Sequence, residues 1–248
     1  MLAQERLTRK ERRKQQRSGN GEGPNTSLNF VLRSITPLTE NQRLTFDEYE
    51  QGKHLFLHGC PGSGKSFLSI YLACKNLFEN RTFDKIIIVR SSEPSKSVGF
   101  LPGNLKEKTK VLEAPYYGIF QELYNRGDAY DYLKNKGLVE FMPTSYIRGI
   151  TLENCCVIVD ECQNLEWNEL FAIMTRLGKN SKIIFCGDYK QSDLKNHYQS
   201  ERREDIQRFR KVIQRMGDFG DVEFGYSDIV RSDIVRKFII AADQLGYI

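Results

Sequence analysis

Apolar and polar positions along the chain switch repeatedly between a period of two or less and a helical period, predicting strands and helices in alternation. His54-Leu55-Phe56-Leu57-His58 is a short apolar-rich run suited to a buried strand, and 67–74 continues as a helix. Lys85-Ile86-Ile87-Ile88-Val89-Arg90 is an uninterrupted β-branched run, the pattern of a strand covered on both faces. Further strands are predicted at 138–142, at 155–159 closing on Asp160-Glu161, at 182–186 closing on Gly187-Asp188, and at 222–224. Helices are predicted at 119–132, 166–177 and 200–216. Ser232–Leu245 predicts a last helix whose Ile234, Val235, Phe238, Ile239 and Ala242 form a core-facing stripe. Residues 91–118, with Pro94, Gly99, Pro102, Gly103, Pro115 and Gly118, read as largely loop with a short helix near 104–112.

Strands alternating with helices predict an α/β fold, a right-handed parallel sheet sandwiched by helices. Ligands bind such sheets beyond the carboxyl ends of the strands, where Asp160-Glu161 and Asp188 fall. Residues 1–27 are basic and then Ser/Gly/Asn-rich, cannot bury enough surface to fold alone, and form a tail in which 4–16 can be helical. One folded domain is expected over 28–248. Thr39 and Gln42 have the spacing of a capping box at the start of a short helix, on which Phe46 and Tyr49 share a face.

Composition narrows the class. Hydrophobic residues make up 40% and charged residues 28%, ordinary for a globular protein, and no run of about 18 apolar residues suggests a membrane span. The N-terminus lacks the apolar stretch of a secretory signal. Six cysteines form no C-x-x-C pair and only three histidines are present, which argues against a zinc site and for a reducing, cytoplasmic compartment. The net charge of +5 is matched by residues 1–17 alone. That tail suits phosphate neutralisation on a nucleic acid, or is a solvated extension. Lys96, Lys106, Lys108 and Lys110 with Phe100, Tyr116 and Tyr117 combine charge and stacking surface as single-stranded nucleic-acid binders do, or belong to an exposed loop.

The chemistry centres on Gly59-Cys60-Pro61-Gly62-Ser63-Gly64-Lys65-Ser66, which reads G-x-x-x-x-G-K-S between a predicted strand and a predicted helix. In that context it predicts a phosphate-binding loop for ATP, its backbone N–H groups turned inward and the helix N-terminus adding positive charge. Lys65 is placed for the β- and γ-phosphates and Ser66 for Mg²⁺. Asp160 is a second Mg²⁺ candidate, and Glu161 is placed to activate water as a general base. Asp188 closes the next strand, and Gln191 is a candidate for the γ-phosphate or the attacking water. Gln42 is either a helix-capping residue or a reader of the adenine edge.

Together these motifs resemble the PhoH-like ATPases, relatives of superfamily 1 helicase cores with a RecA-like P-loop NTPase fold. The resemblance runs over about 37–245 and rests on Gly59–Ser66, Gly99-Phe100-Leu101-Pro102-Gly103, Tyr146-Ile147-Arg148-Gly149, Val159–Asn164, Thr175-Arg176-Leu177-Gly178, Gly187–Leu194 and Asp228-Ile229-Val230-Arg231. The family commonly has alanine where Cys162 stands and a second arginine where Ile150 stands. The resemblance implies a link to phosphate starvation, ATPase activity and, in some members, unwinding of RNA or DNA. The short form looks like the phage-encoded type.

Superfamily 1 enzymes complete the site with arginines from a second lobe, for which the 60 residues after Asp188 are too few. A homo-oligomer, by resemblance a hexameric ring, would let a neighbour supply the missing charge, with Arg176 and Arg231 as candidates and Arg148 third. The expected activity is ATP hydrolysis coupled to RNA or single-stranded DNA. An ATP-dependent assembly switch is the first alternative, and a small-molecule phosphotransferase the second.

Overall fold

The computed structural model describes residues 30–91, 105–188 and 197–247. The chain divides into two units, Met1–Val31 and Leu32–Ile248, and every helix and strand named below belongs to the second. Its elements run α1 (Glu40–Glu50), β1 (His54–Gly59), α2 (Lys65–Lys75), β2 (Lys85–Arg90), α3 (Leu105–Tyr124), α4 (Ala129–Asn135), β3 (Val139–Pro143), β4 (Cys155–Val159), α5 (Trp167–Met174), β5 (Lys182–Gly187), α6 (His197–Met216), β6 (Phe219–Phe224) and α7 (Asp233–Gln244).

The six strands form one sheet in the order β3-β2-β4-β5-β1-β6, and every neighbouring pair is parallel. Parallel strands need crossovers and so bury both faces, which is why β2 and β4 are continuous apolar runs with no alternation. The principal core packs Phe56, Val157, Phe185 and Phe209 between the sheet and α5–α6. All six cysteines are free and buried there or nearby, and burial pushes the Cys74 and Cys156 thiols up to about 12. They act as small hydrophobes. Among the described residues no helix is long and apolar enough to cross a membrane.

Three helical expectations change. The stretch read as loop around Pro115 is the middle of a twenty-residue helix, α3. Proline removes one donor from the ladder, and the Arg90 guanidinium supports the preceding turn by donating to the Leu112 carbonyl at 3.3 Å. The helix predicted to run through 132 stops at Tyr124, because Asn125 takes a left-handed conformation and α4 starts afresh at Ala129. Finally, the stripe of α7 is not core: none of its residues is buried, and Ile234 and Phe238 are each 73% exposed. The helical period holds, but amphipathy does not say what covers the apolar face, and nothing described in this chain does.

The last strand starts three residues earlier than 222, at Phe219. Gly220 interrupts its apolar pattern because α1 lies against it, where a Cβ would come within 2.7 Å of Glu48 Cβ. Beside it, Asp221 accepts hydrogen bonds from the Arg210 Nε at 2.9 Å and the Gln214 Nε2 at 2.6 Å, and its other oxygen lies 2.9 Å from His58 Nε2. Burial alone would raise this carboxyl, but those hydrogen bonds hold it down at about 2. A carboxyl lowered on folding stabilises the protein above its unfolded value and loses that contribution as pH falls towards the folded value. Asp221→Asn is therefore expected to cost about 1–2.5 kcal/mol at neutral pH. In urea unfolding the difference from the unsubstituted protein should shrink towards about pH 2–3; a pH-independent difference would contradict this.

Candidate nucleotide site

Because all strands are parallel, the loops after β1, β4 and β5 emerge at one end of the sheet. They line a cleft of about 940 Å³, towards the upper end of the range for small-molecule sites. The glycines of 59–64 are required by conformation and crowding within the chain. Gly59 has φ +110°, and a Cβ there would lie 2.2 Å from the Phe224 carbonyl oxygen of β6. Gly62 has φ +74°, and a Cβ would meet the Arg231 Cγ at 2.9 Å. Only glycine fits both tests.

α2 starts directly at Lys65, so its unpaired N–H groups face the cleft. The Lys65 ammonium donates to Gly59 O at 3.0 Å and Cys60 O at 2.8 Å, and lies 3.4 Å from Ser63 Oγ. Burial lowers its pKa, while the carboxylates of Asp188 and Glu161 favour its charged form. Ser66 Oγ donates to Asp160 Oδ1 at 2.7 Å, which brings together the two residues expected at Mg²⁺ across a sequence gap of 94 residues.

Asp160 is only 5% exposed, and Tyr116 donates its hydroxyl to the second carboxylate oxygen at 2.8 Å. Tyr116, expected on an exposed stacking surface, is instead fully buried. Its neighbour Tyr117 is partly exposed and donates to Asp131. The donors present, one hydroxyl and one carboxylate side by side at the phosphate loop, fit Mg²⁺. Mg²⁺ characteristically uses one carboxylate with phosphate and water oxygens.

Glu161 holds a left-handed backbone conformation, φ 53°, which costs a non-glycine residue energy and tends to mark functional positions. Its side chain accepts from Gln163 Nε2 at 2.6 Å, and Arg90 Nη2 lies 3.9 Å from its other oxygen. The same Gln163 amide accepts the backbone N–H of Asp188 at 3.1 Å, tying the ends of β4 and β5 together. Cys162 is buried where its Sγ would lie 2.6 Å from a Cβ on Gly187, so this position needs a small residue.

Gln42 is 3% exposed and sits on the cleft wall. Half of the expected capping box forms: Thr39 Oγ1 accepts from Gln42 N at 3.3 Å. The Gln42 amide bonds Leu38 N at 2.8 Å and Ser63 O at 3.1 Å, so it braces the phosphate loop with the groups an adenine edge would need.

The arginines separate. Arg231 lines the cleft of its own chain, held there by Val230 N donating to Gly62 O at 3.1 Å. From the sequence it is expected to serve a neighbouring site. Asp228, 1% exposed, fixes that turn by accepting from Asn41 Nδ2 and Gly225 N, each at 2.8 Å. Arg176 is exposed, and its carbonyl accepts from Leu152 N before β4 begins, at the end of the sheet opposite the cleft. Arg148 is exposed. Ile150, where the resembled family has arginine, packs partly buried against the core. Gln191, with Lys96, Phe100 and the Gly99–Gly103 motif, lies outside the described residues.

Sequence reasoning missed Tyr116, Arg90, Gln163 and Asp228 as site residues. Arg90 and Asp228 left a signal: one is a charge closing an apolar strand, the other begins the segment ending in Arg231. Tyr116 left none, being one aromatic among loop-like glycines and prolines.

A parallel six-stranded sheet, with the phosphate loop after one strand and the Asp-Glu pair after another, defines a P-loop NTPase of the RecA-like type. The chain belongs to the PhoH-like family: the family model described as PhoH-like protein matches residues 34–243. It is 32% identical over 213 residues to the PhoH-like protein of Bacillus subtilis, covering 86% of this chain and 65% of that one. To Protein PhoH of Escherichia coli K12 it is 34% identical over 194 residues, covering 77% of this chain and 53% of that one. The chain thus spans between half and two thirds of the length of these relatives. Among solved structures it is similar to the large terminase of a thermophilic bacteriophage in complex with ADP, at 12% identity and a TM-score of 0.48, covering 82% of this chain and 49% of that one.

Proposed function

We propose that this chain hydrolyses ATP and that RNA or single-stranded DNA stimulates the reaction. The observation that carries the proposal is the Ser66–Asp160 contact with Glu161 beside it, facing the phosphate loop and Lys65. Lys65 and the N–H groups at the start of α2 would bind the phosphates. Ser66 and Asp160 would hold Mg²⁺, the latter directly or through water, and the ion would supply charge to the phosphate oxygens. Glu161, oriented by Gln163, would take a proton from water as the water oxygen bonds the γ-phosphorus. The bond to the bridging oxygen breaks and ADP leaves with the electron pair. Arg231 and Arg90 line the same cleft and would add positive charge from within the chain.

The polymer reading is supported by the basic sequence of 1–17 and by the lysines at 96, 106, 108 and 110. Three of these fall in α3, the helix whose Tyr116 donates to Asp160 and whose Leu112 carbonyl accepts from Arg90, the β2 residue beside Glu161. It predicts that phosphate release from ATP rises several-fold with single-stranded RNA or DNA. A rate indifferent to both polymers would leave an ATPase without that partner, and ATP binding with no turnover would favour an assembly switch.

With Arg231 in its own cleft, a ring is not needed to complete the charge. A homo-oligomer, hexameric by resemblance, stays part of the proposal, and the exposed stripe of α7 is where its contact is tested. Phe238→Glu should lower the particle mass seen by mass photometry and leave the melting temperature of the separated subunits within a few degrees. An unchanged particle mass would remove α7 from the assembly.

A further inference from the structure

We propose that Tyr116 is a positioning residue for the metal side of the nucleotide site, its hydroxyl holding the Asp160 carboxylate in the orientation that presents one oxygen to Ser66. The proposal rests on the reading of Asp160 as a Mg²⁺ residue. A carboxylate rotates readily about its last torsion, and one hydrogen bond from Ser66 would leave that rotation soft. Here each oxygen has its own donor, Oδ1 from Ser66 at 2.7 Å and Oδ2 from Tyr116 at 2.8 Å.

The tyrosine is itself fixed. It is fully buried, with Phe141 at 5.8 Å and Tyr130 at 6.5 Å between ring centroids. The hydroxyl is the donor of this bond and the carboxylate oxygen the acceptor. A buried tyrosine hydroxyl needs a partner, but a backbone carbonyl would have served for packing alone. Arg90 extends the pattern, donating to Leu112 O of the same helix while its other nitrogen lies 3.9 Å from Glu161. α3 therefore touches Asp160 directly and is linked to Glu161 through Arg90 of β2.

The test measures binding of a fluorescent ATP analogue bearing a methylanthraniloyl label, in EDTA and across a MgCl₂ titration, for the unsubstituted protein, Tyr116→Phe and Asp160→Asn. Tyr116→Phe removes one oxygen and keeps the ring. It is expected to match the unsubstituted protein in EDTA and to need about ten- to a hundredfold more Mg²⁺ for the half-maximal gain in affinity, as loss of one hydrogen bond to a charged group would cause. Asp160→Asn should lose the Mg²⁺ gain. An unchanged Mg²⁺ midpoint in Tyr116→Phe, with the gain lost in Asp160→Asn, overturns the proposal. Equal weakening of Tyr116→Phe with and without Mg²⁺ also overturns it, since that is what a packing role predicts.

A Mg²⁺ gain retained in Asp160→Asn would instead remove the metal reading of Asp160 and the proposal with it. Should Tyr116→Phe fail to fold, ¹³Cζ-tyrosine NMR of the unsubstituted protein decides. One tyrosine signal should move on adding Mg²⁺ with the nucleotide and should also be displaced in Asp160→Asn; no responding tyrosine would overturn the proposal.

Discussion

Replacing Lys65 by alanine is expected to lower kcat/KM for ATP by about 10²–10³, the loss typical of removing a preorganised charged donor from a reacting oxyanion. The ammonium sits inside the loop, on the carbonyls of Gly59 and Cys60, and no other lysine side chain among the described residues lines the cleft. Lys65→Met keeps the apolar stem and should fail to the same degree, which separates loss of charge from loss of packing. Circular dichroism should show both variants folded, since Lys65 opens α2 and takes no part in the sheet. Activity within a few-fold of the unsubstituted protein in either variant would remove the loop from the chemistry.

Glu161→Gln is expected to retain ATP and lose turnover by about 10²–10⁴, the range for a general base. The amide preserves size and can still meet Gln163, so the left-handed turn that follows β4 should survive. It cannot accept a proton from water. Equilibrium binding of ATP at unchanged affinity, together with the loss of steady-state phosphate release, is the expected pair of results. Normal hydrolysis would mean that another group takes the proton.

Much of this architecture is legible in residues 54–90 and 155–188. There the strands are continuous apolar runs, closed by the glycines and carboxylates that a parallel sheet collects at one end. The phosphate loop, Ser66, Asp160 and Glu161 stand out through local patterns that need no tertiary information. Tyr116 does not, because Pro115 and Gly118 mimic loop composition inside a helix that packing sustains. The covering of α7 is not legible either: Phe238 and Ile234 repeat at helical spacing whether the facing surface belongs to this chain or to another. Arg231 needs the fold itself, since only the β6 crossover and the Asp228 turn bring it over Gly62, 169 positions earlier in the chain.

The central claim is that water attacks a phosphoryl group held between the loop and Glu161. Hydrolysis of ATP in ¹⁸O-labelled water, with the released phosphate examined by mass spectrometry, tests it most directly. The account predicts one solvent oxygen in each phosphate released by the unsubstituted protein, and no release above background from Glu161→Gln. Absence of labelled phosphate from the unsubstituted protein, or appearance of the phosphoryl group on an added nucleoside, would contradict it.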